Sequence, residues 1–514
     1  MPESLDALRA HLATVQDLRH AAAVLDWDQE TYMPPGGADG RAHQSATLRR
    51  VAHERFASDE TARLLDAAEP ETAGRALEDP DAALVRVTRR DLARATRLPG
   101  DHVAAFAEAT ARAKTAWAAA READDFAAFA PHLARIVGLR IEAADLLRPV
   151  LAEERGPGYA PSAADARYDA LLDEFEPGAQ TADVAAVFAD LQAELVPLVA
   201  AIGAADQVPD APVRGAFAES AQWAFGVEIA RAFGYDMARG RQDRSAHPFT
   251  TSFGADDVRI TTRLDPAFFP TAFFGTLHEV GHALYEQGFA PELARSPLAD
   301  GASLGLHESQ SRLWENQVGR SRAFWQRHAA DARRHFPDAL GGTEPDAIWR
   351  AVNRVAPSLI RVEADELTYH LHVLLRFEIE RALVAEVIAA EDVPEAWNSG
   401  MEDLLGIAPA SDADGCLQDI HWSLGALGYF PTYSLGTLLS AQLWDAIGRD
   451  LGDPDALVAA GEYGQILAWL RDRVHRWGRT LPAHEIVRRA AGTGLDAAPW
   501  VAYARAKFAD VYGL

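Results

Sequence analysis

Leu5, Leu8, Leu12, Val15, Leu18, Ala22 and Leu25 recur every three or four residues, which predicts an amphipathic helix at the amino end. Met33-Pro34-Pro35-Gly36-Gly37 breaks the pattern. A second helix is expected over Ala38–Arg55, and a third after Ser58, which caps it with Asp59 and Glu60 behind. Asp79-Pro80 starts another, in the order of cap then proline. Ala-rich segments at His102–Ala123 and Phe126–Leu151 have the look of an antiparallel pair. After the loop signal Gly156-Pro157-Gly158, helical spacing resumes at Asp165–Phe175, Ala182–Ile202 and Glu219–Phe233. Between Gly234 and Leu264 the period changes: Val258, Ile260 and Thr262 alternate with Asp257, Arg259 and Thr261, which predicts a small antiparallel sheet. Helical spacing then returns at Thr271–Gly288, Ser303–Arg333, Ile348–Asn353 and, as one long helix, Pro357–Ala389. The tail alternates short helices with loops. There is no repeat, low-complexity linker or sharp change of composition, so the simplest expectation is one mostly helical domain over residues 1–514.

One predicted helix carries chemistry. Thr271–Gly288 contains His278-Glu279-Val280-Gly281-His282, the H-E-x-x-H pattern. Residues four apart share a helix face, so two imidazoles can meet one metal ion, and the pair suits zinc. Glu279, one position on, is placed to take a proton from a water on that ion. Phe273, Phe274, Leu277 and Leu284 supply an apolar stripe, Pro270 opens the helix and Gly288 closes it. Gly281 costs the helix about 1 kcal/mol relative to alanine, which a close approach of backbone or substrate would explain.

Composition narrows the picture. The formal net charge is −27, from 49 Lys+Arg against 76 Asp+Glu, which argues against nucleic acid and anionic membrane surfaces as partners. The single cysteine, Cys416, excludes an internal disulfide and a cysteine-based zinc site. The first twenty residues are charged and amphipathic without the apolar core of a signal peptide, and no apolar run is expected to span a bilayer; a cytoplasmic protein is the expectation.

A catalytic zinc usually has three protein ligands and an open position. A third histidine six residues after the pair is excluded, because that position is Gly288 and the preceding glycine position is Tyr285. A carboxylate from a following segment is the remaining common solution. Glu286, Glu292, Glu308 and Glu315 are the candidates, with Glu308 first and Glu315 second on spacing, and Glu286 directed along the axis past the metal.

Five motifs in order make a family resemblance specific. They are WDQETYMPPG from Trp27, Asp257-Val258-Arg259-Ile260-Thr261, His278–His282 followed by HESQ from His307, Ile360–Asp365 as I-R-x-x-A-D, and Gly415–Trp422 as G-x-x-Q-D-x-H-W. Together they resemble the thermostable metallocarboxypeptidases of the carboxypeptidase Taq family over nearly the whole chain. The resemblance implies Glu308 as the third ligand and a nearly all-helical fold with a deep groove between two halves. It further implies a homodimer and broad side-chain tolerance, with poor release of C-terminal proline.

Within that reading, His278, His282 and Glu308 hold Zn²⁺ (Co²⁺ suits the same ligands), and Glu279 is the general base. His421, Tyr429 and Tyr433, in HWSLGALGYFPTYSLG, are candidates to stabilise the oxyanion. Arg361 is the first choice to receive the carboxylate of a peptide with a free C-terminus, against a merely structural bridge to Asp365 one turn on. Arg259 is second, against pairing with Asp257. His247 and Thr261 are candidates to contact substrate main chain, Gln418 and Asp419 to orient His421, and His307 to back the metal ligands; His370 and His372 are read as structural. The leading function is a zinc carboxypeptidase that releases single residues. The alternatives are a related zinc oligopeptidase or dipeptidyl carboxypeptidase, and a metal-free helical scaffold that binds peptides.

Overall fold

The computed structural model describes residues 3–514. They form two compact units, each assembled from three stretches of the chain. The first takes the described residues through Leu92, then Pro209–Val352 and Leu439–Leu495; the second takes Ala93–Val208, Asn353–Leu438 and Asp496–Leu514.

Helices dominate both units. In the first, Glu3–Thr31 pairs with Ala38–Phe56, and Leu5, Leu8, Leu12 and Val15 are buried as their spacing requires. Helix Asp59–Thr72 begins where Ser58 Oγ accepts the Thr61 backbone N–H at 3.4 Å. Asp79 Oδ1 accepts the N–H groups of Asp81 and Ala82, both at 3.0 Å, at the head of Pro80–Arg97.

The expected sheet is present, but it is mixed. β1 (Gly240–Arg244) pairs parallel with β3 (Val258–Thr262), and β2 (Thr250–Ser252) pairs antiparallel with β3 on its other side. The chain reverses once in the 245–249 loop and again at 253–257, so β1 and β3 end up running the same way. Alternation along β3 gave the strand; it carries no information on the direction of neighbours.

The metal helix runs Phe269–Glu286, with Pro270 in its first turn. β3 packs on it through Thr262 Oγ1, which accepts from Thr276 Oγ1 at 3.1 Å. Gly288 does not end this helix in a left-handed turn. It leaves room for the His475 ring, whose Cβ and Nδ1 would lie 2.6 Å from a methyl group there. Ser303–Arg333 is not one helix. Leu304–Arg312 passes into a π-helical turn, Leu313–Gly319, and a new helix, Arg322–His335, starts where Ser321 Oγ accepts the Phe324 N–H.

In the second unit, Gly100–Ala123 and Phe126–Arg155 pack as the expected pair. The long helix expected from Pro357 is broken. A short turn at Arg361–Glu363 precedes the helix Tyr369–Val384. Asp365 causes the break: its carboxylate accepts the backbone N–H groups of Ala356, Leu367 and Thr368, and the Thr368 hydroxyl. The expectation about bilayer-spanning runs is also corrected. Thr181–Ala204 is 24 residues long with a mean hydropathy of 1.7 over its most apolar stretch, enough to cross a membrane by length and composition. Its buried residues Val184, Phe188, Leu191, Leu195, Val199 and Ile202 nevertheless form one stripe, and alanine fills much of the opposite face, the arrangement of an amphipathic helix.

Gly281 explains how the metal helix meets its neighbour. A methyl group at this position would lie 2.5 Å from both the Gln310 carbonyl oxygen and Ser311 Cα. Gly281→Ala gains about 1 kcal/mol of helix propensity but forces two backbones apart at about 1–3 kcal/mol or more. Net destabilisation is expected in urea unfolding; a variant as stable as the wild type would contradict this packing account.

Candidate active site

The first unit brings three sequence-predicted ligands together. His278, His282 and Glu308 point one donor atom each into a common space. The Nε2 atoms of His278 and His282 are 3.2 Å apart, and Glu308 Oε2 lies 3.5 Å from the first and 3.4 Å from the second. A tetrahedral dication with bonds of about 2.0–2.1 Å sets its ligand atoms about 3.3–3.4 Å apart. The three atoms therefore already have the separations such an ion needs, and two imidazoles and a carboxylate are a suitable donor set.

Each ligand is aimed by a second group. Glu315 Oε2 lies 3.0 Å from His278 Nδ1. His307 Nδ1 lies 2.6 Å from His282 Nδ1, and His307 Nε2 lies 2.8 Å from Glu286 Oε1. One proton arrangement satisfies the whole set. His278 donates from Nδ1 to Glu315, His282 donates from Nδ1 to His307, and His307 donates from Nε2 to Glu286. Both Nε2 lone pairs are then free for a metal. Glu308 Oε1 accepts from Arg312 Nε at 2.7 Å, and its Oε2 accepts from Ser311 Oγ at 3.0 Å. Glu315, the second candidate ligand, is thus occupied behind His278 and also accepts from Arg312 Nη1 at 3.0 Å. Glu286 sits behind His307, as its position along the helix suggested.

Charge follows from this geometry. Burial drives His282 down to about 3, so it is the neutral imidazole a metal ligand must be. Burial also acts to lower His278, but Glu308 and the Glu315 hydrogen bond outweigh it and raise it. Burial opposes ionisation of Glu308, yet Arg312 and the two imidazoles hold it well below the usual carboxylate range. Glu315 is likewise held down, at about 2, by Arg312 and His278 against burial. Burial raises Glu279, which is 6% exposed, and Thr250 Oγ1 stands 2.7 Å from its Oε2. β2 thus holds the carboxyl group that follows the first ligand.

The second unit holds the other cluster. Asp419 receives two guanidinium groups. Arg361 reaches it with Nη2 at 2.7 Å and Nε at 3.2 Å, and Arg376 reaches it with Nε at 2.7 Å. Gln418 Oε1 accepts from the Arg361 backbone N–H at 2.8 Å and from Arg376 Nη2 at 2.9 Å. Arg361 Nη1 donates to the Tyr369 hydroxyl at 2.7 Å, and its guanidinium stands 5.1 Å from the Tyr433 ring centroid. Burial acts to lower Arg361, but Tyr369 and Asp419 more than reverse it. The charge partner of Arg361 is therefore Asp419 and not Asp365, whose carboxylate is spent on backbone. Gln418 and Asp419 hold the arginines; Asp419 Oδ1 is 3.7 Å from His421 Nδ1, too far for a hydrogen bond. Burial lowers His421 to about 4. Its ring lies 5.2 Å from Tyr429 by centroids, and the Tyr429 and Tyr433 hydroxyls are 3.5 Å apart.

Two substrate-contact candidates have other work. Thr261 is fully buried, and its hydroxyl accepts from Ser245 Oγ at 2.7 Å and the Phe249 N–H at 2.9 Å, closing the 245–249 loop onto β3. Arg259 makes two bonds to Asp257, both 2.8 Å, and stacks 4.3 Å over Trp27, which gives the N-terminal motif a packing role. His247 is exposed. Sequence reasoning missed Thr250, Arg312, Tyr369 and Arg376. Only Arg312 had a local signal, lying four residues beyond Glu308 on one helix; the others act across loops.

The whole chain compares with known proteins. Residues 7–508 match the family model described as the carboxypeptidase Taq (M32) metallopeptidases. "Thermostable carboxypeptidase 1" of Thermus thermophilus is 41% identical over 500 residues, covering 96% of each chain. The Pyrococcus furiosus protein of the same name is 39% identical, covering 98% of each. The crystal structure of an M32 carboxypeptidase from Deinococcus radiodurans R1 superposes with a TM-score of 0.94 at 40% identity over 100% of both chains.

The supports behind the ligands should be measurable as metal affinity. Arg312→Met frees the Glu308 carboxylate to rotate and is expected to weaken divalent-metal binding by about 10–100-fold. Competition against a chromophoric chelator reads this directly, and an unchanged dissociation constant would remove Arg312 from the site.

Proposed function

This chain belongs to the carboxypeptidase Taq (M32) metallopeptidase family, and within that family we propose a zinc enzyme of broad specificity. On this reading it removes single residues from peptides with a free C-terminus, with Glu279 as general base. The observation that carries the proposal is the triangle of His278 Nε2, His282 Nε2 and Glu308 Oε2, with separations of 3.2–3.5 Å. Nitrogen and oxygen donors without sulfur, with three ligands from protein, are the set of a catalytic zinc site that keeps one position open; Co²⁺ fits the same donors. When bound, the ion supplies an acidified water and positive charge for the scissile carbonyl oxygen.

The chain's own groups do the rest. Glu279 takes the water's proton on its carboxylate, with Thr250 keeping Oε2 in one orientation, and passes it to the leaving amine. Arg361 is assigned to the terminal carboxylate. Asp419 and Tyr369 fix its plane, and a guanidinium held in one plane recognises a carboxylate by paired N–H donors. His421, Tyr429 and Tyr433 are assigned to the oxyanion. The lowered His421 favours a neutral imidazole that can donate one N–H, and a buried tyrosine hydroxyl stays protonated. The breadth of specificity rests on the family resemblance.

Two variants test these roles. Glu279→Gln is expected to keep its metal and lose about 10²–10⁴-fold in kcat; a metal-replete variant with wild-type turnover would remove Glu279 from the mechanism. Arg361→Lys is expected to lower kcat/KM for free C-termini while leaving the poor rate on amidated peptides unchanged. Equal losses on both substrates would assign the carboxylate to another group.

A further inference from the structure

Helix Tyr369–Val384 touches the segment that bears His421 and Tyr429 at more than one point. Arg376 holds Gln418 and Asp419. One turn on, Glu380 is fully buried and reaches further along the same segment. Its Oε1 accepts the Trp422 indole N–H at 2.9 Å. Its Oε2 accepts the Gly428 backbone N–H at 2.9 Å and the Tyr168 hydroxyl at 2.7 Å. Trp422 directly follows His421, and Gly428 directly precedes Tyr429. One carboxyl group therefore ties down both ends of the loop from beneath.

The loop needs such a tie. Gly425, between the two anchors, and Gly428, itself the second anchor, turn the chain with φ of +72° and +91°, a region other residues adopt rarely. A side chain at Gly428 would also meet the Leu171–Leu172 backbone at 2.8 Å. His421–Leu424 forms a 3-10 turn, and the Gly425, Ala426 and Leu427 N–H groups donate to backbone carbonyls within the stretch. These bonds shape the turn itself but do not join it to helix Tyr369–Val384, which side chains must do. Burial pushes Glu380 up to about 7, against the pull of its three donors and Arg376. A buried carboxylate is a costly way to fill space, and packing alone would be met by an apolar residue of similar size. What the carboxylate offers is two oxygens that accept from both loop ends at once.

We propose that Glu380 is a positioning residue that fixes the His421 imidazole and the Tyr429 phenol by anchoring the residues next to each. The inference rests on the reading above, in which those two groups act on substrate. Glu380 itself meets no substrate and works through the loop.

The test pairs kinetics with a direct probe of ring position, on the full-length, metal-loaded protein. Glu380→Gln keeps the size but turns one acceptor into a donor. It is expected to lower kcat by about 10–100-fold with KM within about twofold and metal content unchanged. In histidine-labelled protein the His421 ring resonance, assigned through H421A, should move. Added to the H421A/Y429F double variant, E380Q should cost less than a further twofold. Trp422→Phe, which removes one anchor and leaves Glu380 in place, should shift both readouts the same way by less, and it serves if E380Q does not fold. An unmoved His421 resonance, or an E380Q loss that multiplies in full on H421A/Y429F, overturns the proposal. Wild-type kcat in H421A and Y429F would instead overturn the catalytic reading of those two residues, while a moved resonance would still support the anchoring.

Discussion

The structure of the first unit is organised around the convergence of three donor atoms. Two imidazole nitrogens 3.2 Å apart, with a carboxylate oxygen near both, is an arrangement that repels itself unless a cation or a proton sits between them. The chain keeps it by packing. Gly281 lets the metal helix lie backbone to backbone against Gln310 and Ser311, which fixes Glu308 opposite the histidine pair. Around this, Glu315, His307 with Glu286, and Arg312 hold the ligand rings and carboxylate in one proton arrangement. The strain of the convergence is thus met by neighbours that are themselves hydrogen-bonded, which is the condition for a preorganised metal site.

The second unit solves a different problem, holding positive charge in a buried place. Asp419 gives one negative charge to two guanidiniums, and aromatic rings of Tyr433 and Phe430 face Arg361 at 5.1 and 5.4 Å. Arg361 is 4% exposed and is held by Asp419 and Tyr369, so its side chain keeps little rotamer freedom. The same helix that supplies Arg376 supplies Glu380, so one rigid element organises both the arginine cluster and the loop of His421 and Tyr429.

How much of this was legible in the sequence follows from how local each signal is. The metal pair was readable because a spacing of four on a helix is a property of the helix alone. Glu308 needed a neighbouring helix, and spacing left it in competition with Glu315 until the family motifs favoured it; the structure shows the two carboxylates in different places, one beside the Nε2 atoms and one behind His278. The partner of Arg361 was not readable. The bridge to Asp365 assumed a continuous helix, and the Asp365 carboxylate itself breaks that helix by binding backbone N–H groups. Thr250, Arg376 and Glu380 left no sequence signal because each acts on a residue far along the chain, and Tyr369 left none because it reaches Arg361 across the break in the expected helix. The sheet's mixed pairing escaped for the same reason: alternation reports a face, not a neighbour. The exposed alanine face of Thr181–Ala204 passed unnoticed because alanine adds to hydropathy without forming an apolar stripe of its own.

The central claim is that one divalent ion is held by His278, His282 and Glu308 in the separations already present. An anomalous difference map at the zinc edge, from crystals of the full-length protein grown with zinc, tests it most directly. The account predicts one dominant peak bonded to His278 Nε2, His282 Nε2 and Glu308 Oε2 at about 2.0–2.1 Å, with Glu315 and His307 still behind the ligands. A dominant peak elsewhere, or no peak between these three side chains in zinc-saturated crystals, would contradict it.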